Sequence, residues 1–195
     1  MPKIIDHDER RREIIEVAKG VILKGGFEAA TMRSIAAEAG FANGALKHYF
    51  PGKDSIVAAT FESILDQMGQ AVTGAEPEGD AIDRLQAFLQ APLPRTPDDI
   101  AAGRVLLALW EYAMSNDDLA DLYRRHLANW RQAFLERFAE AREAGAIAVD
   151  PPYEPLANEY ISVTIGAAVV NLMYPDGARV PDYERYLEDF LARLR

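Results

Sequence analysis

The sequence contains no cysteine, which removes disulfides, thiol nucleophiles and thiolate metal sites at once and suits a reducing compartment. No apolar run is long enough to span a bilayer, and no basic n-region followed by an apolar h-region opens the chain. A cytoplasmic protein without a membrane partner is therefore expected. Histidine is scarce: His7, His48 and His126 lie far apart, and no Glu-x-x-His pair accompanies them. The patterns HExxH, GxSxG, GxxxxGKS/T and GxGxxG are all missing. With no constellation to assemble, neither catalysis, a cofactor nor a metal centre is expected.

Lysine is missing from everything after position 53. Residues 1 to 53 hold nine Lys or Arg against seven Asp or Glu, a net of +2, while the remainder holds twelve against twenty-four, a net of −12. The overall charge of −10 thus conceals one cationic end on an acidic body. Such a body repels DNA and favours presenting only that end to it. A hydrophobic fraction of 49% over 195 residues is enough for one or two domains with sizeable cores.

The cationic end contains the most organised stretch, TMRSIAAEAGFANGALKHYF from Thr31 to Phe50. Met32, Ile35, Ala36 and Ala39 recur at i, i+3, i+4 and i+7, the spacing of one buried helical stripe. Thr31 stands ahead of them as an N-cap, and Gly40 stops the helix as a residue that tolerates a left-handed conformation. After the turn, Leu46, Tyr49 and Phe50 form a second apolar edge. Asn43, Gly44, Ala45, Lys47 and His48 then point away from it, a small, polar and basic face of the kind the major groove admits.

The order Thr31, Arg33, Ile35-Ala36, Ala39-Gly40, Gly44, Leu46, Tyr49-Phe50 and Lys53 resembles the DNA-binding domain of the TetR family of bacterial transcriptional regulators. Two positions depart from that pattern. Ala42 stands where the family usually has Ser or Thr, which removes a side-chain cap worth about 0.5–2 kcal/mol from the second helix and leaves it to lean on Phe41. Lys47 stands where an aromatic residue is common, and a lysine meets a phosphate at least as well as a phenol does. Base reading is expected from Asn43, Gly44 and Ala45. Phosphate contacts are expected from Thr31, Arg33, Lys47, His48, Tyr49 and Lys53.

Around this unit the chain reads as helices throughout. Lys3 and Arg10 to Arg12 read either as a solvated helix start or as a basic arm, and Ile14, Val17, Ala18, Val21 and Ile22 then stripe a first helix that Gly25-Gly26 ends. Pro51-Gly52 turns the chain into a long helix with Val57, Phe61, Ile64, Leu65, Met68 and Val72 on one side, and the segment from Thr73 to Asp80 reads as a linker. Later stripes run through Ile82, Leu85, Phe88 and Leu89, through the all-round apolar VLLALWEYAM from Val105 to Met114, and through Leu119 to Phe138. A penultimate helix from about Leu156 to Met173 and a last one from Tyr183 to Leu194 complete an all-α architecture of about nine helices. A helix-turn-helix DNA-binding domain is expected over 1–53 and a helical effector-binding and dimerisation domain over 54–195.

The body holds more aromatic residues than packing needs, and the family resemblance implies a small-molecule effector there. Phe61, Met68, Phe88, Trp110, Glu111, Met114, Tyr123, Trp130 and Phe134 are the candidate lining, with Arg104 or Arg131 able to pair with a carboxylate. The acidic body argues for an apolar or cationic effector held by aromatic faces and one carboxylate. His126, near the stripe of its helix, reads as a structural histidine. The sequence therefore points to a homodimeric repressor that binds a palindromic operator and is released by a small molecule. The alternative is a helical small-molecule binding protein with no DNA function.

Overall fold

The computed structural model describes residues 7–73, 79–174 and 176–195, except for the side chains of residues 43, 68 and 71–73. No strand occurs among the described residues. The helices are α1 His7–Ala29, α2 Met32–Glu38, α3 Asn43–Leu46, α4 Lys53–Thr73, α5 Ala81–Gln90, α6 Pro97–Ala113, α7 Asp117–Glu143, α8 Glu154–Asn171 and α9 Val180–Leu194. The arm at Lys3 and most of the linker expected over 73–80 fall outside the described residues.

The chain divides into two compact units. The first runs through Ile64 and adds Val105–Ala120; the second comprises Leu65–Arg104 and Asp121–Arg195. Lys53 marks the start of α4 rather than the end of the first unit. The opening turns of that helix are buried on two stripes, Val57, Phe61 and Ile64 on one and Ile56 and Thr60 on the other. The Thr60 hydroxyl donates to the Ile56 carbonyl at 2.8 Å, so the second stripe carries its one polar group inward already satisfied.

In the first unit α1 buries Ile14, Ala18 and Ile22, a spacing of four that keeps one face on the core. Gly26 breaks its helical path with φ at 74°, which a side chain would make costly, and the chain resumes a turn to Ala29.

The second unit is built on an aromatic cluster. Phe134 stacks on Phe138 at 4.3 Å between ring centres and meets Phe88 at 6.1 Å, Tyr160 at 5.6 Å and Phe190 at 6.5 Å. Each such fully buried side chain contributes about 1.5–3 kcal/mol by leaving water. The helix start signals are capping boxes: Asp80 with Asp83 opens α5, and Thr96 with Asp99 opens α6. The second box explains why α6 starts at Pro97, eight residues before the apolar run at Val105.

Helix α8 departs most from its apolar pattern. Its core stripe is Ala157, Tyr160, Thr164, Ala167 and Asn171, whereas Ile161, Val163, Ile165, Ala168 and Leu172 are half-buried and Val169 is exposed. Three donors turned inward find backbone carbonyls, while the buried Asn171 Oδ1 accepts from no described residue. Tyr160 donates to the Leu89 carbonyl, Thr164 to the Tyr160 carbonyl at 2.9 Å, and the Asn171 amide to the Ala167 carbonyl at 3.2 Å. Apolar residues are thereby left facing outward.

Candidate nucleic-acid interface and effector body

The reading unit is set by caps at both ends of α2. Thr31 Oγ1 accepts from the Ser34 amide at 3.1 Å, and Ser34 Oγ accepts from the Thr31 amide at 2.9 Å. Ser34 Oγ also donates to the Ala29 carbonyl at 2.7 Å, tying the cap to the end of α1. At the other end the Phe41 amide donates to the Ala36 carbonyl at 2.8 Å and the Gly40 amide to the Ala37 carbonyl at 3.3 Å, with Gly40 at φ 72°. This paired bonding closes a helix through one left-handed residue and sends the chain sharply into the next.

Helix α3 has only four residues, and Ala42 at its N-cap makes no side-chain bond. What fixes it is burial. Leu46 and Phe50 are wholly inaccessible, as is Ile35 on α2, and Phe41 meets the Tyr49 ring edge-on at 5.7 Å. With those anchors inward, Gly44, Lys47 and His48 are exposed and Ala45 and Tyr49 half-exposed. Thr31 and Arg33 are exposed at the start of α2. The Asn43 side chain lies outside the described residues.

Three residues at the start of α1 brace this edge, two of them arginines of the candidate basic arm. His7 lies with its ring 4.6 Å from that of Tyr49, Arg10 places its guanidinium 5.9 Å from the Phe41 ring, and Arg11 sits 4.2 Å from the Phe50 ring while donating to the Tyr49 carbonyl. Their spacing, i, i+3 and i+4, was the available signal. Lys53 is likewise engaged within the unit. Its ammonium donates to the Phe27 carbonyl at 3.2 Å and lies 3.7 Å from the Phe27 ring, whose other neighbour is the stacked Tyr112 ring at 4.4 Å. The Tyr112 hydroxyl donates to Asp54 at 2.6 Å, and this bond, aided by burial, holds its pKa above the usual tyrosine value.

The candidate effector residues fall in both units. Phe61, wholly buried, belongs to the first, as do half-buried Trp110, exposed Glu111 and Met114, which is 84% exposed. Phe88, Trp130 and Phe134 come together in the second unit's core. Tyr123 is half-buried on α7, its hydroxyl pushed up to about 12 by desolvation, and Met68 has its side chain outside the described residues. Arg131 donates to Asn158 at 3.4 Å, and Arg104 is exposed. The half-buried His126 is pushed below its ordinary pKa by burial, which the Asp66 carboxylate opposes. No group of metal-ligating side chains occurs among the described residues, and no described helix is long and apolar enough to cross a membrane.

Two segments of the chain match family models. Residues 14–60 match the model for bacterial regulatory proteins of the tetR family, and residues 81–195 match that for the C-terminal part of BetI-type transcriptional repressors. The HTH-type transcriptional regulators BetI of Klebsiella pneumoniae and Escherichia coli are 34% identical over 154 residues, covering 74% of this chain and 79% of theirs. Among solved structures, a TetR transcription regulator from Haloarcula marismortui superposes with a TM-score of 0.86 at 18% identity, covering 96% of this chain and 98% of its own. A transcriptional regulator from Saccharomonospora viridis, solved in complex with choline, superposes at 0.83 with 24% identity over 95% of this chain and 96% of its own. An exposed reading edge on buried anchors, a helical body and these two matched segments lead to one conclusion: the chain belongs to the TetR family and is a ligand-responsive, DNA-binding transcriptional regulator.

Proposed function

We propose that the protein acts in the cytoplasm as a homodimeric repressor, holding a palindromic operator and releasing it when a small organic cation occupies the body. The observation that carries the DNA part is the opposition of wholly buried Leu46 and Phe50 to exposed Gly44, Lys47 and His48 within one short segment. Rigid backing with a polar, basic outer edge suits a major groove. Asn43, Gly44 and Ala45 read bases, while Thr31, Arg33, Lys47, His48 and Tyr49 hold phosphates, with Lys53 adding charge from the start of α4.

Dimerisation is supported by the outward apolar residues at the end of α8 and just after it. Val169, Val170, Met173 and Tyr174 are exposed within two turns, more than scattered surface residues would place together. Two reading heads held by one interface raise operator affinity through effective concentration. The cationic effector is supported by the acidic, lysine-free body and by the choline held by the S. viridis relative.

Fluorescence anisotropy with DNA flanking the protein's own gene tests the division of roles. Lys47→Ala should weaken binding to all sequences alike and lower the salt slope by about one, whereas Asn43→Ala should change sequence preference. If Lys47→Ala instead altered preference at a single base and left the salt slope intact, the assignment would be wrong.

A further inference from the structure

Helix α3 is too short to hold itself. Its four residues make about one turn, below the length at which a helix persists unaided, and Gly44 inside it adds backbone entropy. Ala42 gives its first end no side-chain cap. At its other end the Tyr49 and Phe50 amides both donate to the Leu46 carbonyl at 3.0 Å. The Tyr49 carbonyl in that same turn is met by a side chain from another helix, Arg11 of α1.

Arg11 is engaged both in its plane and across it. Its edge donates to the Tyr49 carbonyl, and its central carbon lies 4.2 Å from the centre of the wholly buried Phe50 ring. A planar guanidinium fixes both contacts at once, in a geometry that an ammonium on a shorter, flexible stem does not reproduce at the same site. The neighbouring arginines differ from it. Arg10 is exposed and paired with Glu13 on its own helix, and Arg12 is exposed, whereas Arg11 is half-buried. Phe50 is one of the two anchors that turn Lys47 and His48 outward, so the group that holds Phe50 and the carbonyl before it also aims the edge.

We propose that Arg11 is a positioning residue for DNA recognition: it fixes α3 from behind and contributes sequence selectivity without touching a phosphate. Base contacts depend on exact placement of the reading side chains, while attraction to phosphates tolerates displacement. The assignment rests on the reading of the Gly44, Lys47 and His48 edge as the DNA-contacting surface. It goes beyond that reading by taking one arginine out of the charge that binds DNA and placing it in the support of the helix that reads it.

The test is anisotropy of the full chain on DNA flanking its own gene and on a scrambled duplex of the same length, at several salt concentrations. Arg11→Lys keeps the charge, yet should weaken the flanking DNA by about tenfold, hold the scrambled duplex within about twofold and leave the salt slope of wild type. A phosphate contact predicts no change in Arg11→Lys and a slope lower by about one in Arg11→Met, and either result would overturn the proposal. Adding Ala42→Ser to Arg11→Lys should recover about threefold, because cap and arginine support the same helix. No recovery would contradict a role exerted through α3. Amide hydrogen exchange reads the support without DNA. In the free protein the Tyr49 and Phe50 amides should exchange about tenfold faster in Arg11→Lys, while those of Gly40 and Phe41, bonded to α2, keep their wild-type rates. Unchanged rates at Tyr49 and Phe50 would overturn the positioning role. A wild type that binds neither duplex would overturn the DNA reading, and exchange would still decide whether Arg11 holds α3.

Discussion

The reading edge and the body place their polar groups differently. In the reading unit the caps are local and near the surface, Thr31 with Ser34 and Gly40 and Phe41 with the last carbonyls of α2, and cations from farther along the chain lie over Phe27, Phe41 and Phe50. In the body the phenol of Tyr160, the hydroxyl of Thr164 and the amide of Asn171 are turned into the core, and aromatic rings pack around Tyr160. A unit capped in this way holds the shape of its own edge, which suits reading DNA.

The comparison predicts different costs for damage. The largest belongs to the body: Phe134→Ala, which removes a ring that meets four others, should lower stability by about 3–5 kcal/mol in urea unfolding. A loss below 1 kcal/mol would mean that the cluster is not what holds the body together. In the reading unit Gly40→Ala meets no neighbouring atom, so its cost is that of the left-handed backbone alone, about 1–2 kcal/mol. Its effect on operator affinity should exceed its effect on overall unfolding, since the turn sets the angle of α3.

Most of the reading unit was legible because its signals are written within four residues of where they act. Thr31, Gly40 and the Leu46, Tyr49 and Phe50 edge follow from spacing, capping and turn chemistry. The braces from His7, Arg10 and Arg11 escaped because nothing local says that the start of α1 returns to α3. In the body, stripes ending at Phe138 and Leu194 were readable, but the core face of α8 was not. Its apolar residues outnumber those that the core takes, and the face that turns inward carries Tyr, Thr and Asn, whose bonds run to carbonyls a pattern does not display. The start of α6 was hidden for a similar reason, since Thr96 and Asp99 sit in a proline-rich stretch that reads as a breaker.

Two smaller changes sharpen the contrast. Ala42→Ser supplies the cap that α3 lacks on a backbone already extended at that residue, and should stabilise the reading unit by about 1 kcal/mol without touching its outer face. No gain in melting temperature would show that burial of Leu46 and Phe50 already saturates the helix. On α8, Val169→Glu should give a folded monomer in sedimentation, because Val169 is exposed; Leu187, only 3% exposed, would unfold the body instead. The smallest effect concerns the Glu159 pair. The bond from Arg193 holds the Glu159 carboxyl below its ordinary pKa of 4.5, so the stability it adds is present above that value and lost as pH falls through the lowered one. Arg193→Ala should remove less than about 1 kcal/mol, and only above that pH range, since the pair is largely solvated.

The central claim is that occupancy of the body controls the reading edge, and one titration addresses it most directly. Labelled DNA flanking the protein's own gene is bound to the full-length protein, choline is added, and anisotropy and tryptophan emission are followed in the same cuvette. The account predicts that DNA is released over the concentration range in which the tryptophan signal changes, because a ligand shifts an equilibrium only through unequal affinity for its two states. A tryptophan change that saturates while the DNA stays bound would contradict it.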